Sequence, residues 1–146
     1  MFKRILIPTD GSPTALKAAR AGVALAKALG ARVIACHVVE GLEPVFRARA
    51  MVSQRMIDDV NRANRAAGQE YVDAIGKIAA KSGVPFNAVV VRSRPPHVAI
   101  VNVAKKHKCD VIFIATHGRG GFSKLMLGSV AQKVVTHANL PVLVYR

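Results

Sequence analysis

Cysteine is scarce in this chain of 146 residues: Cys36 and Cys109 stand alone, in no C-x-x-C pair. That argues against a disulfide framework or a cysteine-bound metal, and in a domain with an ample apolar core both thiols are expected to be buried and reduced. Aromatic residues make up only 5%, with no series of rings interleaved among the basic residues. Zinc-finger spacing and an RNA-recognition motif are missing as well, so nucleic acid is not the expected partner. Apolar stretches such as Val98 to Ala104 and Val111 to Ala115 fall far short of a membrane span, and Met1-Phe2-Lys3-Arg4 leads straight into a strand. No membrane partner and a cytoplasmic location are the expectation. Familiar phosphate fingerprints fail too: there is no G-x-x-x-x-G-K-S/T, and Gly118, Gly120 and Ser123 miss G-x-G-x-x-G at its last position.

Acidic residues are few. With 22 Lys+Arg against 8 Asp+Glu, the formal net charge is +14. Such a field attracts nucleotides, nucleic acid and acidic proteins alike without choosing among them. Arg47, Arg49, Arg55, Arg62 and Arg65 crowd one stretch, which reads as the solvated basic face of a helix.

Hydrophobic residues, at 51%, suffice for one compact domain over residues 1–146. Lys3 to Ile7, ended by Pro8, suits a buried parallel strand. Ser12 then caps a helix with Pro13 at its first position, and the alanine-rich stretch Thr14 to Leu29 stops at Gly30. Arg32 to Val39 is the second strand. Val52, Met56, Val60, Ala63, Ala67, Tyr71, Ala74 and Ile78 draw an apolar stripe along a long helix that Gly83 ends and that Gly68 and Gly76 weaken. Phe86 to Val91 is a third strand. Pro95-Pro96 opens a helix whose Val98, Val101 and Ala104 face the sheet, and Asp110 to Ala115 is the fourth strand. A last helix, Ser129 to His137, buries Val130, Val134 and Ala138 or their neighbours before a fifth strand, Pro141 to Tyr145. The fold class is α/β: a single doubly wound, Rossmann-like, parallel five-stranded sheet with helices on both faces.

Such sheets bind ligands at the strand carboxyl ends, where the winding reverses. The loops richest in chemistry, Pro8 to Ser12 and Ala115 to Ser129, follow the first and fourth strands and would face one crevice if those strands are neighbours. Glycines in the second loop let backbone approach a ligand, and the amides of Ser129 and Val130 at a helix start can point at anionic oxygens. Nucleotide binding is the first hypothesis.

Taken together, the Pro8-Thr9-Asp10 strand end, the His37-Val38 strand end, the Pro96-His97 helix start and Thr116-His117-Gly118-x9-Gly128-Ser129-Val130 resemble the universal stress protein family. The likeness runs from Phe2 to Tyr145. The family's ATP-binding branch carries G-x2-G-x9-G-S/T, where this chain has Ala115-x2-Gly118-x9-Gly128-Ser129. An alanine forced into a left-handed backbone at 115 would cost about 1–2 kcal/mol; in ordinary extended backbone it costs little.

The resemblance implies ATP, with or without Mg2+, as the ligand. Pro8, Thr9 and Asp10 would form one wall, Asp10 toward the ribose, and the Val38 backbone would meet the adenine edge. Ala115, Thr116, His117, Gly118, Arg119, Gly120 and Gly121 would wrap the sugar and phosphates. Gly128, Ser129, Val130 and Ala131 would hold the phosphates at the helix start. Plainer roles compete: Asp10 as a turn residue, Ser129 as a helix cap, Gly120 and Gly121 as loop flexibility. No acid-base partner for His37 or His117 follows from spacing, and without a Walker lysine binding with slow or absent hydrolysis is expected. The function expected is a nucleotide-dependent regulatory or stress-response module, a homodimer through its terminal strand that answers to a regulatory protein partner. The alternatives are an ATP-free basic adaptor that binds nucleic acid or acidic proteins through the middle helix, and a weak ATPase.

Overall fold

Alternate residues of the first strand disappear into opposite cores. Ile5 and Ile7 join one buried cluster and Leu6 the other, and all three are inaccessible to solvent. This explains the unbroken apolar run: a parallel strand covered on both faces has no wet side on which to alternate. The computed structural model describes residues 1–41, 53–118 and 127–146. Along them run β1 (Arg4–Pro8), α1 (Pro13–Leu29), β2 (Arg32–Val39), α2 (Gln54–Ser82), β3 (Phe86–Arg92), α3 (Pro96–Lys106), β4 (Val111–Ala115), α4 (Ser129–His137) and β5 (Val142–Tyr145).

All five strands are parallel, in the order β3-β2-β1-β4-β5. Helices α1 and α2 cover the face of Ile5 and Ile7, through Ala19, Val23, Val72 and Ile75; α3 and α4 cover the face of Leu6, through Ile100, Val103 and Val134. The winding reverses between β1 and β4, which pair through Ile5 with Val111 and Leu6 with Ile112. The two loops singled out in the sequence therefore leave adjacent strands at the same end of the sheet.

Local signals set the first helix. The Ser12 hydroxyl accepts from the Ala15 amide at 3.1 Å, Pro13 fills the first turn, and Gly30 closes the helix in the left-handed region at φ 60. A lost cap of this kind costs about 1 kcal/mol.

Two helix faces depart from expectation. On α2 the buried positions are Ile57, Gly68, Val72, Ile75 and Ala79, one residue beyond the expected stripe. Met56 is 57% exposed and Val60 41%, while Val52 lies outside the described residues. An alanine-rich helix carries two overlapping sets of three- and four-residue spacings. Packing chooses between them: the backbone at Gly68 approaches the His37 ring on β2, so this line of the helix faces the sheet. The glycines do not break α2, which runs unbroken from Gln54 to Ser82. On α3, Ala104 is buried as expected but Val98 is 41% exposed, and the inward positions are His97, Ala99, Ile100 and Val103. A histidine at a core-facing position hid the true face from a reading of apolar residues.

Candidate functional site

The carboxyl ends of β1, β2 and β4 and the start of α4 enclose a cleft of about 400 Å³. Its first wall is built by short-range hydrogen bonds. The Thr9 hydroxyl accepts from the Gly11 amide at 3.1 Å, and Asp10 Oδ1 accepts from the Ser12 amide at 3.0 Å. Gly11 is left-handed at φ +77, and a side chain there would strike the Tyr71 ring. The Asp10 carboxylate thus fills the expected turn role with one oxygen, while its Oδ2 lies where a Cβ on Gly118 would begin. Glycine at 118 admits the carboxylate between the two loops.

The second wall comes from β2. His37 Nδ1 lies 2.8 Å from the Thr9 carbonyl oxygen, which can only accept, so Nδ1 carries a proton and donates it. The ring stands edge-on to Tyr71, centroids 5.2 Å apart. Cys36, Val38 and Glu40 line the cleft from alternate positions along this strand and its end. Burial, reinforced by Cys109, pushes the Cys36 thiol up to about 12, so it is no nucleophile at neutral pH. Both cysteines are free thiols; Cys36 is buried as expected, whereas Cys109, just before β4, is only half-buried.

The third wall joins β4 to α4. Ala115 pairs in register with Tyr145, and among the described residues the only non-glycine with positive φ is Lys108. Ala115 is therefore in ordinary strand backbone, where a methyl in place of hydrogen carries no conformational penalty. The buried Thr116 donates its amide to Tyr145 at 2.8 Å, and its carbonyl accepts from the Gly128 amide at 2.6 Å. His117 Nδ1 lies 3.0 Å from the Thr116 hydroxyl, and its Nε2 is buried with no partner among the described residues. Gly128, not Ser129, is the cap of α4, and no side chain bonds into that end. The first intrahelical bond runs from Gln132 to Gly128 at 2.9 Å. The amides of Ser129, Val130 and Ala131 precede it, the usual orphan donors of a helix start.

Of the residues predicted from sequence, Pro8, Thr9, Asp10, Val38, Ala115, Thr116, His117, Gly118, Gly128, Ser129, Val130 and Ala131 all line this one cleft. Arg119, Gly120 and Gly121 lie outside the described residues. Sequence reasoning missed Ala15, Cys36, Glu40, Ile100 and Ile114 as lining residues, and it quoted His37 and Pro96 for the family likeness without assigning them to the site. Pro8 and Cys36 are register partners, so the strand order would have found Cys36; nothing in spacing alone points to Ile100. Arg55, Arg62 and Arg65 are not in the lining, and Arg47 and Arg49 lie outside the described residues. Among the described residues no group of three or more His, Cys, Asp or Glu could hold a metal ion, and no helix is long and apolar enough to cross a membrane.

Known proteins share this architecture. Universal stress protein MJ0531 of Methanocaldococcus jannaschii is 35% identical over 146 residues, covering 100% of this chain and 83% of its own. The solved structure of MJ0577, a universal stress protein of the same organism, superposes with a TM-score of 0.77 at 28% identity, covering 99% of this chain and 95% of that one. The universal stress protein of Archaeoglobus fulgidus in complex with dAMP superposes with a TM-score of 0.67 at 22% identity, covering 99% and 98%. The universal stress protein family model matches residues 1–146, and the chain belongs to that family.

Proposed function

We propose that the cleft binds ATP and that the chain serves as a nucleotide-dependent regulatory module in a stress response, by binding rather than turnover. The convergence of the Pro8–Asp10 turn, the end of β2 and the start of α4 on one cleft at the β1/β4 reversal carries this reading. The volume suits a small ligand, with apolar walls and a few polar groups that fix orientation. Asp10 faces the ribose, Val38 meets the adenine edge through its backbone, and the Ser129, Val130 and Ala131 amides receive the phosphates. The buried Nε2 of His117 gains a partner from the bound ligand. The dAMP held by the Archaeoglobus fulgidus relative is an adenine nucleotide and supports the ligand class. Mg2+, where it accompanies ATP, would be held mainly by the phosphates, and Asp10 and Glu40 are the carboxylates of the cleft lining that could add a ligand. Regulation follows only if ATP binds one dimer or partner state more tightly than another.

The adaptor reading through the middle helix is weaker on charge alone. In α2, Arg55, Arg62, Arg65, Lys77 and Lys81 are interspersed with Asp58, Asp59, Glu70 and Asp73. Calorimetry with ATP, alongside a phosphate-release assay, tests the proposal. The parent chain should bind without releasing phosphate, and Ser129→Ala should weaken binding by about 0.5–2 kcal/mol, the loss of one hydrogen bond. No heat of binding in the parent at millimolar ATP would overturn it.

A further inference from the structure

In an all-parallel sheet every strand start and every helix carboxyl end lies on the side opposite the cleft. On this chain that far end is strongly and one-sidedly basic. Lys27, Lys81, Lys105 and Lys106 stand in the last turns of α1, α2 and α3. Lys3, Arg4, Arg32 and Lys108 stand at the starts of β1 and β2 and in the turn before β4. All of them are exposed. Among the described residues of this end one carboxylate, Asp110, stands against these eight cations: its Oδ2 accepts from the backbone amides of Lys3 and Arg4 at 2.6 and 2.8 Å. The ion pairs among the described residues, Arg62 with Asp59 and Arg94 with Glu40, do not involve this end.

Folding accounts for half of the cluster. Cations in a last helical turn complement the helix dipole, which explains Lys27, Lys81, Lys105 and Lys106. It does not explain the other four. Arg4 and Arg32 are register partners on adjacent strands about 4.8 Å apart, so two like-charged residues stand side by side, with Asp110 beside Arg4 offsetting one charge of the cluster. Arg4 Nη1 also donates to the Lys108 carbonyl at 3.4 Å, which holds a third basic residue beside them. Such an arrangement costs stability through self-repulsion, and a polyanion relieves that cost.

We infer that this end of the sheet docks on the phosphate backbone of double-stranded nucleic acid, without sequence readout. Single strands are captured by stacking on exposed rings. The aromatic residues at this end, Phe2 and Phe86, are instead partly buried against the core. A membrane surface calls for apolar side chains to insert beside the charges, and among the described residues the segments that form this end expose only Met1 and, in the last turn of α4, Val135 as large apolar side chains. A rigid row of cations on strand ends matches a duplex backbone, where affinity comes from released counterions.

The test is fluorescence anisotropy with a labelled random-sequence DNA duplex over a salt series. The parent chain should bind at low salt and lose affinity steeply as salt rises. Lys105→Gln/Lys106→Gln/Lys108→Gln, all exposed changes, should stay folded with a melting temperature only a few degrees below the parent's for the two lost dipole contacts, bind at least tenfold more weakly and flatten the log–log salt slope by about 2.7. Arg55→Gln/Arg62→Gln/Arg65→Gln should stay within a few-fold of the parent. The proposal is overturned if the parent shows no salt-dependent binding, if the lysine triple variant binds like the parent, or if the α2 variant loses as much. Capture by phosphatidylserine vesicles with no duplex binding would assign the surface to a membrane instead.

Discussion

The Gly128 amide donates to the Thr116 carbonyl oxygen at 2.6 Å, and a Cβ on Gly128 would lie 2.9 Å from that same oxygen. The hydrogen bond ties the end of the loop after β4 back to its start, and the missing side chain is what lets the two backbones meet. A bulky residue at 128 would open this clamp before any ligand arrives. Gly128→Ala should therefore lower stability by about 1–3 kcal/mol, the usual cost of overpacking, in urea unfolding. Ser129→Ala, on an exposed first helical residue, should stay within about 0.5 kcal/mol of the parent. Equal stability of the two variants would remove the clamp from the account.

The alternation of strands and helices, and the two loops that meet at the cleft, were legible because the element boundaries rest on signals of one or two residues, Ser12 and Pro13, Gly30, Gly83 and the apolar run at Ile5 to Ile7. That β1 and β4 are neighbours stayed a condition until the sheet was assembled. The rotation of α2 was not legible. Its apolar spacing fits either of two faces, and the choice lies in a contact between Gly68 and His37, which are far apart in sequence. The same holds for Cys36 and Ile100, which reach the cleft only once β1, β2 and α3 are assembled. Ala115, an open question from the motif, was answered by backbone geometry that no motif carries.

That contact between Gly68 and His37 makes its own prediction. A methyl at 68 would collide with the imidazole, whose Nδ1 holds the Thr9 carbonyl at 2.8 Å. Gly68→Ala adds helix propensity yet should destabilise the chain by about 1–3 kcal/mol, because the ring cannot move without giving up that bond. A more stable Gly68→Ala in thermal unfolding would show the ring free to swing away.

The thiols should be inert. Burial raises Cys36 to about 12 and Cys109 to about 11, from an ordinary 9.0. A raised thiol pKa favours the neutral form in the folded chain, so that contribution is complete below 9.0 and is lost as pH climbs toward the folded values. Iodoacetamide at pH 8 should leave both native cysteines unmodified and label both in denaturant. Rapid native labelling of Cys36 would contradict its burial.

His97 gives the acid side. It is buried near the start of α3 with its ring 5.0 Å from that of His137. Burial first, then the charges of His137 and Lys133, lowers its pKa from 6.5. The neutral ring is the form the fold prefers, so its contribution is present above the ordinary histidine value and is lost as pH falls through the lowered one. The urea midpoint of the parent should drop more between pH 7.5 and pH 5.5 than that of His97→Gln. Parallel drops would place the acid sensitivity elsewhere.

Assembly is the remaining prediction, and it turns on β5. This strand closes the sheet beyond β4, and its Leu143 and Val144 are each 39% exposed, an apolar edge with no charge between Val142 and Tyr145. Unprotected edges of this kind pair with other strands, and a two-fold mate satisfies both copies at once. We therefore expect a homodimer built by β5 against β5. Deleting Pro141 to Arg146 would be a poor test, because Ile112 donates to the Pro141 carbonyl at 3.0 Å and Thr116 to that of Tyr145 at 2.8 Å, so the fold would suffer with the interface. Leu143→Lys/Val144→Lys keeps those backbone bonds and places charges on the edge. In sedimentation velocity at micromolar concentration the parent should run as a dimer and this variant as a folded monomer. A monomeric parent, or a well-folded double variant that remains dimeric, would rule out pairing through this strand.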